Sequence, residues 1–234
     1  MQQDPLMHKY FPIGQYVYCI GNPLRYVDPN GKELLLVGSA EQQNLLLGLL
    51  QQLTNYKLTL NQNGIVTHSI LKTGNKGTDY HAGNSLLEQL CDQSKNAKTT
   101  TVSLTDNNNT TYALDNEAYA NGTGSDAEIL FNPDANPSLT TQNENTGQVQ
   151  QEGRPSYIGL AHELIHGMHI NAGIAKKKDV HVTPVIPGSG QKYTYASPIP
   201  LEEAITVGLH GFNTNGPTEN SIRKEHKLNT RLLY

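Results

Sequence analysis

The pentapeptide His162-Glu163-Leu164-Ile165-His166 constrains this chain more than any other part of its sequence. On an α-helix, residues four positions apart lie one above the other on the same face, so the two imidazoles can bind a single metal ion. Glu163 follows the first histidine, where its carboxylate can reach a water on that ion rather than the ion itself. The pattern therefore predicts a helix that carries two metal ligands with a general base beside them.

The flanking residues favour that helix. Pro155 suits a first helical turn, because its missing N–H would have no partner there anyway. Gly173 follows the last periodic residue and is typical of a helix stop. Between them, apolar residues recur at three- and four-residue steps: Ile158, Ala161, Leu164, Ile165 and Met168. The histidines fall on a second stripe, so we expect one face of the helix to pack against the core and the other to carry ligands.

Two histidines and a glutamate in this spacing are the arrangement of zinc peptidases, and a catalytic zinc also needs a third protein ligand and an open fourth position. The run from Pro200 to Leu209 predicts the start of a helix with Glu202 and Glu203 in its first turn, where the helix dipole would stabilise either carboxylate. We favour Glu203 over Glu202 as the ligand, because its place on a separate helix and the run Glu203-Ala204-Ile205-Thr206 resemble the ligand helix of gluzincins. His169 is expected to support or pack against the site.

The composition of the chain excludes some classes of binding partner. The 234 residues allow one or two domains, and a net charge of −4 without a basic block argues against a nucleic-acid partner. No apolar run is long enough to span a membrane, and the N-terminus lacks a signal-peptide pattern. Cys19 and Cys91 stand far apart without zinc-ligand spacing, which predicts two unpaired core thiols.

Strand and helix signals alternate from residue 33 onward, with the first helix capped by Ser39. They predict an α+β fold in which a mixed sheet packs against the metal helix and the cleft lies between them. The polar run from Asp134 to Arg154 is expected to be a long loop or flap. Residues His181–Ile186 and Gln191–Ser197 are expected to form a hairpin.

Residues 1–32 differ in character, because aromatic residues crowd a short stretch that is punctuated by turn signals. This segment resembles the C-terminal end of the RHS (rearrangement hot spot) repeat-associated core. The resemblance rests on Tyr16-Val17-Tyr18, Asn22-Pro23-Leu24, Tyr26-Val27-Asp28-Pro29 and Gly31. It implies two parts: a β-rich remnant of the RHS core at 1–32 and a variable toxin or effector domain at 33–234, with the remainder of the core as a partner.

Residues 33–234 resemble the NleD-like effector metallopeptidases, which are type III secreted enzymes with relatives behind RHS cores. The resemblance rests on the H-E-L-I-H run, on Glu203-x-x-Thr206-Val207-Gly208, on the segment 218–223 and on Arg231-Leu232-Leu233-Tyr234. More distantly, these motifs resemble clostridial neurotoxin light chains. The second resemblance implies that Arg231 and Tyr234 stabilise the oxyanion.

The thermolysin-type enzymes carry an aspartate at the position of Val207, so support for a ligand histidine must come from elsewhere. Glu219 and Asn220 are candidates for that support. Their alternative role is to begin a short helix, as its N-cap and first-turn residues.

Together these resemblances imply a zincin-like fold and a secreted Zn²⁺-dependent endopeptidase, with Glu163 as general base. The enzyme would act inside a host or competitor cell on a protein substrate, with a cognate immunity protein if the target is bacterial. Two alternatives stay open: a nuclease toxin, and a non-catalytic binding module with a structural metal. The binding module would need a fourth protein ligand, for which His169 is the nearby candidate.

Overall fold

The computed structural model describes residues 33–69, 79–91, 98–183, 198–212 and 215–234. The RHS-like segment at 1–32 and most of the hairpin expected between His181 and Ser197 lie outside these residues. The helices are α1 (Ala40–Gln52), α2 (His81–Leu90), α3 (Asn116–Asn121), α4 (Ser156–Ala172), α5 (Leu201–Val207) and α6 (Glu219–Glu225). The strands are β1 (Leu34–Leu36), β2 (Lys57–Leu60), β3 (Val66–Ser69), β4 (Thr100–Leu104), β5 (Thr110–Ala113), β6 (Ala127–Phe131), β7 (Ser138–Gln142), β8 (Val149–Gly153), β9 (Asp179–Val180), β10 (Ile199–Pro200) and β11 (Thr230–Arg231).

A mixed four-stranded sheet, in the order β1-β4-β6-β5, forms one layer of the fold. β1, β4 and β6 run parallel, and β5 joins β6 antiparallel at the edge. The inward side chains are apolar and fully or almost fully buried, as in Leu34, Val102 and Ile129. The expected mixed sheet is therefore present, with the metal-motif helix α4 packed on it.

Helices α1 and α2 also pack against α4 and complete the apolar core. The predicted cap of α1 is confirmed, because Ser39 and Gln42 form a reciprocal capping box. α2 crosses the end of α1 so closely that a Cβ on Gly83 would lie 1.7 Å from the carbonyl oxygen of Leu53. The Glu225 carboxylate accepts hydrogen bonds from the first-turn amides of Ala82 and Gly83, so a residue of α6 caps α2.

Helix α4 is buried on both faces. Its predicted apolar stripe is buried, and so are all the remaining residues from 158 to 170. The histidine face is covered by α5 and α6. Pro155 stands at the N-cap, one position before the expected first turn, and Gly173 ends the helix at a φ of 68° as predicted. The apolar face therefore packs against the core as expected, and the face that carries the histidines is buried as well.

The segment expected to be a loop, from Asp134 to Arg154, instead forms the hairpin β7–β8. β11 pairs with β7 and completes a three-stranded antiparallel sheet. These strands are held by polar cross-strand contacts, such as the hydrogen bond from Gln151 Nε2 to Thr140 Oγ1 at 2.7 Å. Their lack of apolar alternation explains why the sequence indicated a loop.

Candidate active site

Three side chains converge beside α4. The Nε2 atoms of His162 and His166 lie 3.2 Å apart. The Glu203 carboxylate faces both, with Oε2 at 3.2 Å from His162 Nε2 and Oε1 at 3.3 Å from His166 Nε2. Among the described residues, these three form the group of His, Cys, Asp and Glu side chains that could hold a metal ion.

The spacing of the three donors fits a tetrahedral zinc ion. With bonds of about 2.0 Å, two ligands of such an ion lie about 3.3 Å apart. Glu203 Oε2 is also buried, where a carboxylate oxygen needs a cation or a donor beside it. Two imidazole nitrogens and a carboxylate oxygen this close need a shared cation or proton between them, so the donor set suits a metal.

Each histidine is oriented by a carboxylate at its other ring nitrogen. His162 Nδ1 lies 2.9 Å from Glu219 Oε2, and His166 Nδ1 lies 3.3 Å from Glu202 Oε1. When Nδ1–H donates to the carboxylate, the lone pair of Nε2 faces the centre of the group. Glu219 thus lies beside His162, as its expected support of a ligand histidine would require, and it also stands in the first turn of α6.

The two carboxylates of α5 have different surroundings. Glu202 turns away from the Nε2 atoms and accepts from His169 Nδ1 at 2.6 Å and from the backbone N–H of Lys176 at 2.8 Å. His169 therefore contacts Glu202 and packs outside the donor group, as expected. Asn220 donates to the carbonyl of Arg231 and accepts from its N–H, so it holds β11 rather than a histidine.

The carboxylates and imidazoles of the site shift one another's pKa values in the direction that favours carboxylates paired with positive charge. Burial opposes ionisation of Glu202, but hydrogen bonds from His166 and His169 bring its pKa down to about 2. Burial likewise opposes ionisation of Glu203, and the hydrogen bonds of His162 and His166 hold its pKa well below the usual range. The pKa of His166 rises to about 10, because hydrogen bonds to Glu202 and Glu203 outweigh its burial. Such a site attracts cations.

Glu163 points into the cleft and is fixed by the edge of the main sheet. Thr111 Oγ1 on β5 lies 2.7 Å from Glu163 Oε2 and 3.3 Å from the Glu163 carbonyl oxygen. Only 7% of Glu163 is exposed. Its carboxylate is thus held beside the donor group without joining it.

Arg231 and Tyr234 reach the same cleft from the C-terminal segment. Arg231 Nη1 donates to Glu219 Oε2 at 3.0 Å, and its guanidinium stacks over the Tyr234 ring with 5.1 Å between guanidinium carbon and ring centroid. Burial and the nearby Glu203 carboxylate, which accepts from the Tyr234 hydroxyl, raise the pKa of that hydroxyl to about 12. The phenol is therefore a neutral hydrogen-bond donor at pH 7.

The cleft around these groups has a volume of about 780 Å³ and contains all six residues that the sequence indicated. Its walls also include two polar residues that sequence reasoning missed, Thr111 and Arg154. Neither belongs to a recognisable motif. Thr111 meets Glu163 across 52 positions of sequence, and no local pattern could predict that contact.

Comparison with known protein families shows which family the chain belongs to. Residues 75–234, more than half of the sequence, match the Peptidase_M91 family, which is described as an effector protein. The chain belongs to the Peptidase_M91 family. Membership identifies it as an effector domain of peptidase type. No curated protein matches it.

Solved structures with partial similarity include two neurotoxin proteases. The apo, zinc-removed botulinum neurotoxin type C light chain is 17% identical, with a TM-score of 0.35, and the match covers 55% of this chain and 30% of that one. A botulinum neurotoxin serotype C1 light chain protease is 19% identical, with a TM-score of 0.30, and the match covers 47% and 27%. The chain thus spans less than a third of either light chain. In the part of the chain that the structure describes, no helix is long and apolar enough to cross a membrane.

Proposed function

We propose that this Peptidase_M91 member is a zincin-like, zinc-dependent endopeptidase that acts as an effector inside a target cell. His162, His166 and Glu203 would hold the ion, and Glu163 would be the general base. The observation that carries the proposal is the convergence of three donor atoms at tetrahedral spacing, with a separate carboxylate beside them. His169 is engaged with Glu202, and the described residues supply no fourth ligand, so the site suits catalysis better than a structural metal.

Each residue of the site has its own step in the proposed hydrolysis. When bound, zinc lowers the pKa of a coordinated water and polarises the scissile carbonyl. Glu163, held by Thr111, accepts a proton from the attacking water and passes it to the nitrogen of the leaving amine. The carbonyl oxygen becomes negative as the water oxygen bonds to the carbonyl carbon, and the Arg231 guanidinium and the Tyr234 hydroxyl are placed to meet that charge. The charge returns to the carbonyl double bond when the C–N bond breaks and the protonated amine leaves.

The sheet edge supports a peptide as substrate. β5 is an edge strand, and residues 108–111, at and before its start, line the cleft. An edge strand offers backbone N–H and C=O groups to a second extended chain. A substrate paired there would cross the cleft above Glu163.

Replacing Glu163 by glutamine tests the proposal, because it removes the base and keeps the shape of the side chain. We expect full zinc content and an unchanged melting temperature, with hydrolysis of a random peptide pool reduced at least about 10²-fold. Glu128→Gln on β6, outside the cleft lining, is the matched control and should hydrolyse the pool as wild type does. Full hydrolysis by zinc-loaded Glu163→Gln would contradict the mechanism. Cleavage of DNA or RNA, but not peptides, by the wild-type protein would favour a nuclease.

We also propose that residues 1–32 end an RHS core that delivers residues 33–234, and that a bacterial target would require a cognate immunity protein. The motif Asp28-Pro29-Asn30-Gly31 supports this division. A chain that begins at residue 33 should then fold with the zinc content and peptidase activity of the full sequence. Loss of folding in the shorter chain would argue for one continuous domain.

A further inference from the structure

Arg154 is a buried cation that forms no direct ion pair with a carboxylate in the described parts of the chain. It lines the cleft with His162 and Glu163, and only 9% of its surface is exposed. Its Nε atom is buried without a hydrogen-bond partner. An arginine in such a place costs folding free energy, since it has left water without gaining an acceptor.

The backbone of α4 makes room for this side chain. A Cβ on Gly159 would lie 3.2 Å from Arg154 Nε and 3.3 Å from its Nη2, closer than a side chain normally packs. The guanidinium therefore rests against the bare helix surface one turn before His162. Burial lowers the pKa of Arg154, and the negative charges of Glu219 and Glu163 partly offset that decrease.

The second arginine of the cleft is already satisfied. Arg231 donates to Glu219 and to the carbonyl of Leu233 at 2.7 Å. Asn109 resembles Arg154 instead: its Oδ1 accepts from Asn132 N–H, but its Nδ2 is buried without an acceptor and it lines the same cleft. Among the described residues, two donors of the cleft wall thus lack acceptors.

We propose that Arg154 binds an anionic side chain of the substrate, so that the peptidase selects sequences with an acidic residue near the scissile bond. This inference rests on the proposed peptidase function. The planar guanidinium matches a carboxylate through two parallel N–H···O bonds. A phosphoryl group offers equivalent oxygens, so aspartate, glutamate and phosphorylated residues share the required chemistry. Asn109 Nδ2 supplies a further neutral donor to the same group.

A binding selection tests this without turnover. The full-length, zinc-loaded Glu163→Gln protein is incubated with a pool of random dodecapeptides that contains Asp, Glu, Asn, Gln and phosphoserine, and the bound peptides are sequenced. We expect one position to be enriched in anionic residues over their amide or hydroxyl counterparts by about 10- to 100-fold. Separate counts for carboxylates and phosphoserine identify the preferred source.

Arg154→Gln in the same background should lose that enrichment, and Arg154→Lys should keep part of it. Lys57→Gln is the matched control, because it removes one positive charge on β2, outside the cleft lining. The melting temperature of Arg154→Gln should equal or exceed that of its parent, whereas a structural role predicts a lower one.

Absence of anionic enrichment in the parent, or equal enrichment in Arg154→Gln, would overturn the inference. Failure of the proposed function has a different signature, namely no hydrolysis of any peptide in the pool by the zinc-loaded wild-type protein.

Discussion

Replacement of Glu219 by glutamine tests whether a residue that is not itself a proposed metal ligand strengthens metal binding through its contact with His162. Glu219 is fully buried. Its Oε2 contacts His162 Nδ1 at 2.9 Å and Arg231 Nη1 at 3.0 Å, and its Oε1 lies 3.6 Å from Arg223 Nη1. Glutamine keeps the shape of the side chain but leaves two buried arginines without this negative charge.

Two magnitudes follow. Removing one partner of a buried ion pair typically costs about 3–5 kcal/mol, which for a protein of this size lowers the melting temperature by about 6–20 °C. Removing the carboxylate behind a ligand histidine typically weakens metal binding about 10- to 100-fold. We therefore expect Glu219→Gln to lose both stability, in urea unfolding of the metal-free protein, and zinc affinity, in competition with a chelating dye.

Glu152→Gln is the matched control. Glu152 Oε2 lies 3.5 Å from Arg223 Nη2, and its side chain is partly exposed. Its carboxylate accepts hydrogen bonds from Thr141, Gln150 and Asn229, and not from His162. It should lose about 1 kcal/mol or less and keep the zinc affinity of the wild type. Equal zinc affinity in Glu219→Gln and Glu152→Gln would refute the support that we assign to Glu219.

Three further predictions concern the ligands, the oxyanion and the core. Glu203→Gln should lose most of its zinc in elemental analysis, whereas Glu202→Gln should keep one ion per chain; the reverse result would exchange their roles. Tyr234→Phe should lower kcat about 10²- to 10³-fold with little change in KM or zinc content, because only the hydroxyl is removed, and full turnover would exclude it as an oxyanion donor. Gly83→Ala should cost about 1–3 kcal/mol in urea unfolding, because its Cβ would lie 1.7 Å from the carbonyl oxygen that ends α1. Gly48→Ala, in open space within α1, should instead stabilise the protein by about 0.5–1 kcal/mol, and equal effects would contradict the packing argument.

The parts of the site that sequence could predict are those with local signals. The motif spacing and the three- to four-residue apolar period indicated α4, and first-turn acidity indicated α5 with Glu203. β7 and β8 were missed because their residues are mostly polar on both faces, as in Val149–Gly153. Thr111 and Arg154 gave no signal, because their roles depend on which segments fold together.

The pairing of β11 with β7 affects the order in which the metal site and the rest of the cleft form during folding. His162 and His166 meet once a single helical turn has formed. Arg231 reaches the cleft only after β11 has docked, and the adjacent Thr230–Gln142 hydrogen bond closes 88 positions of sequence. Closing so long a loop costs more conformational entropy than forming a contact between residues close in sequence. Strand pairs that are distant in sequence therefore form slowly. Under the proposed function, a refolding chain would bind its ion once α5 has packed against α4 and has brought Glu203 to the two histidines. It would gain peptidase activity later, when β11 has docked.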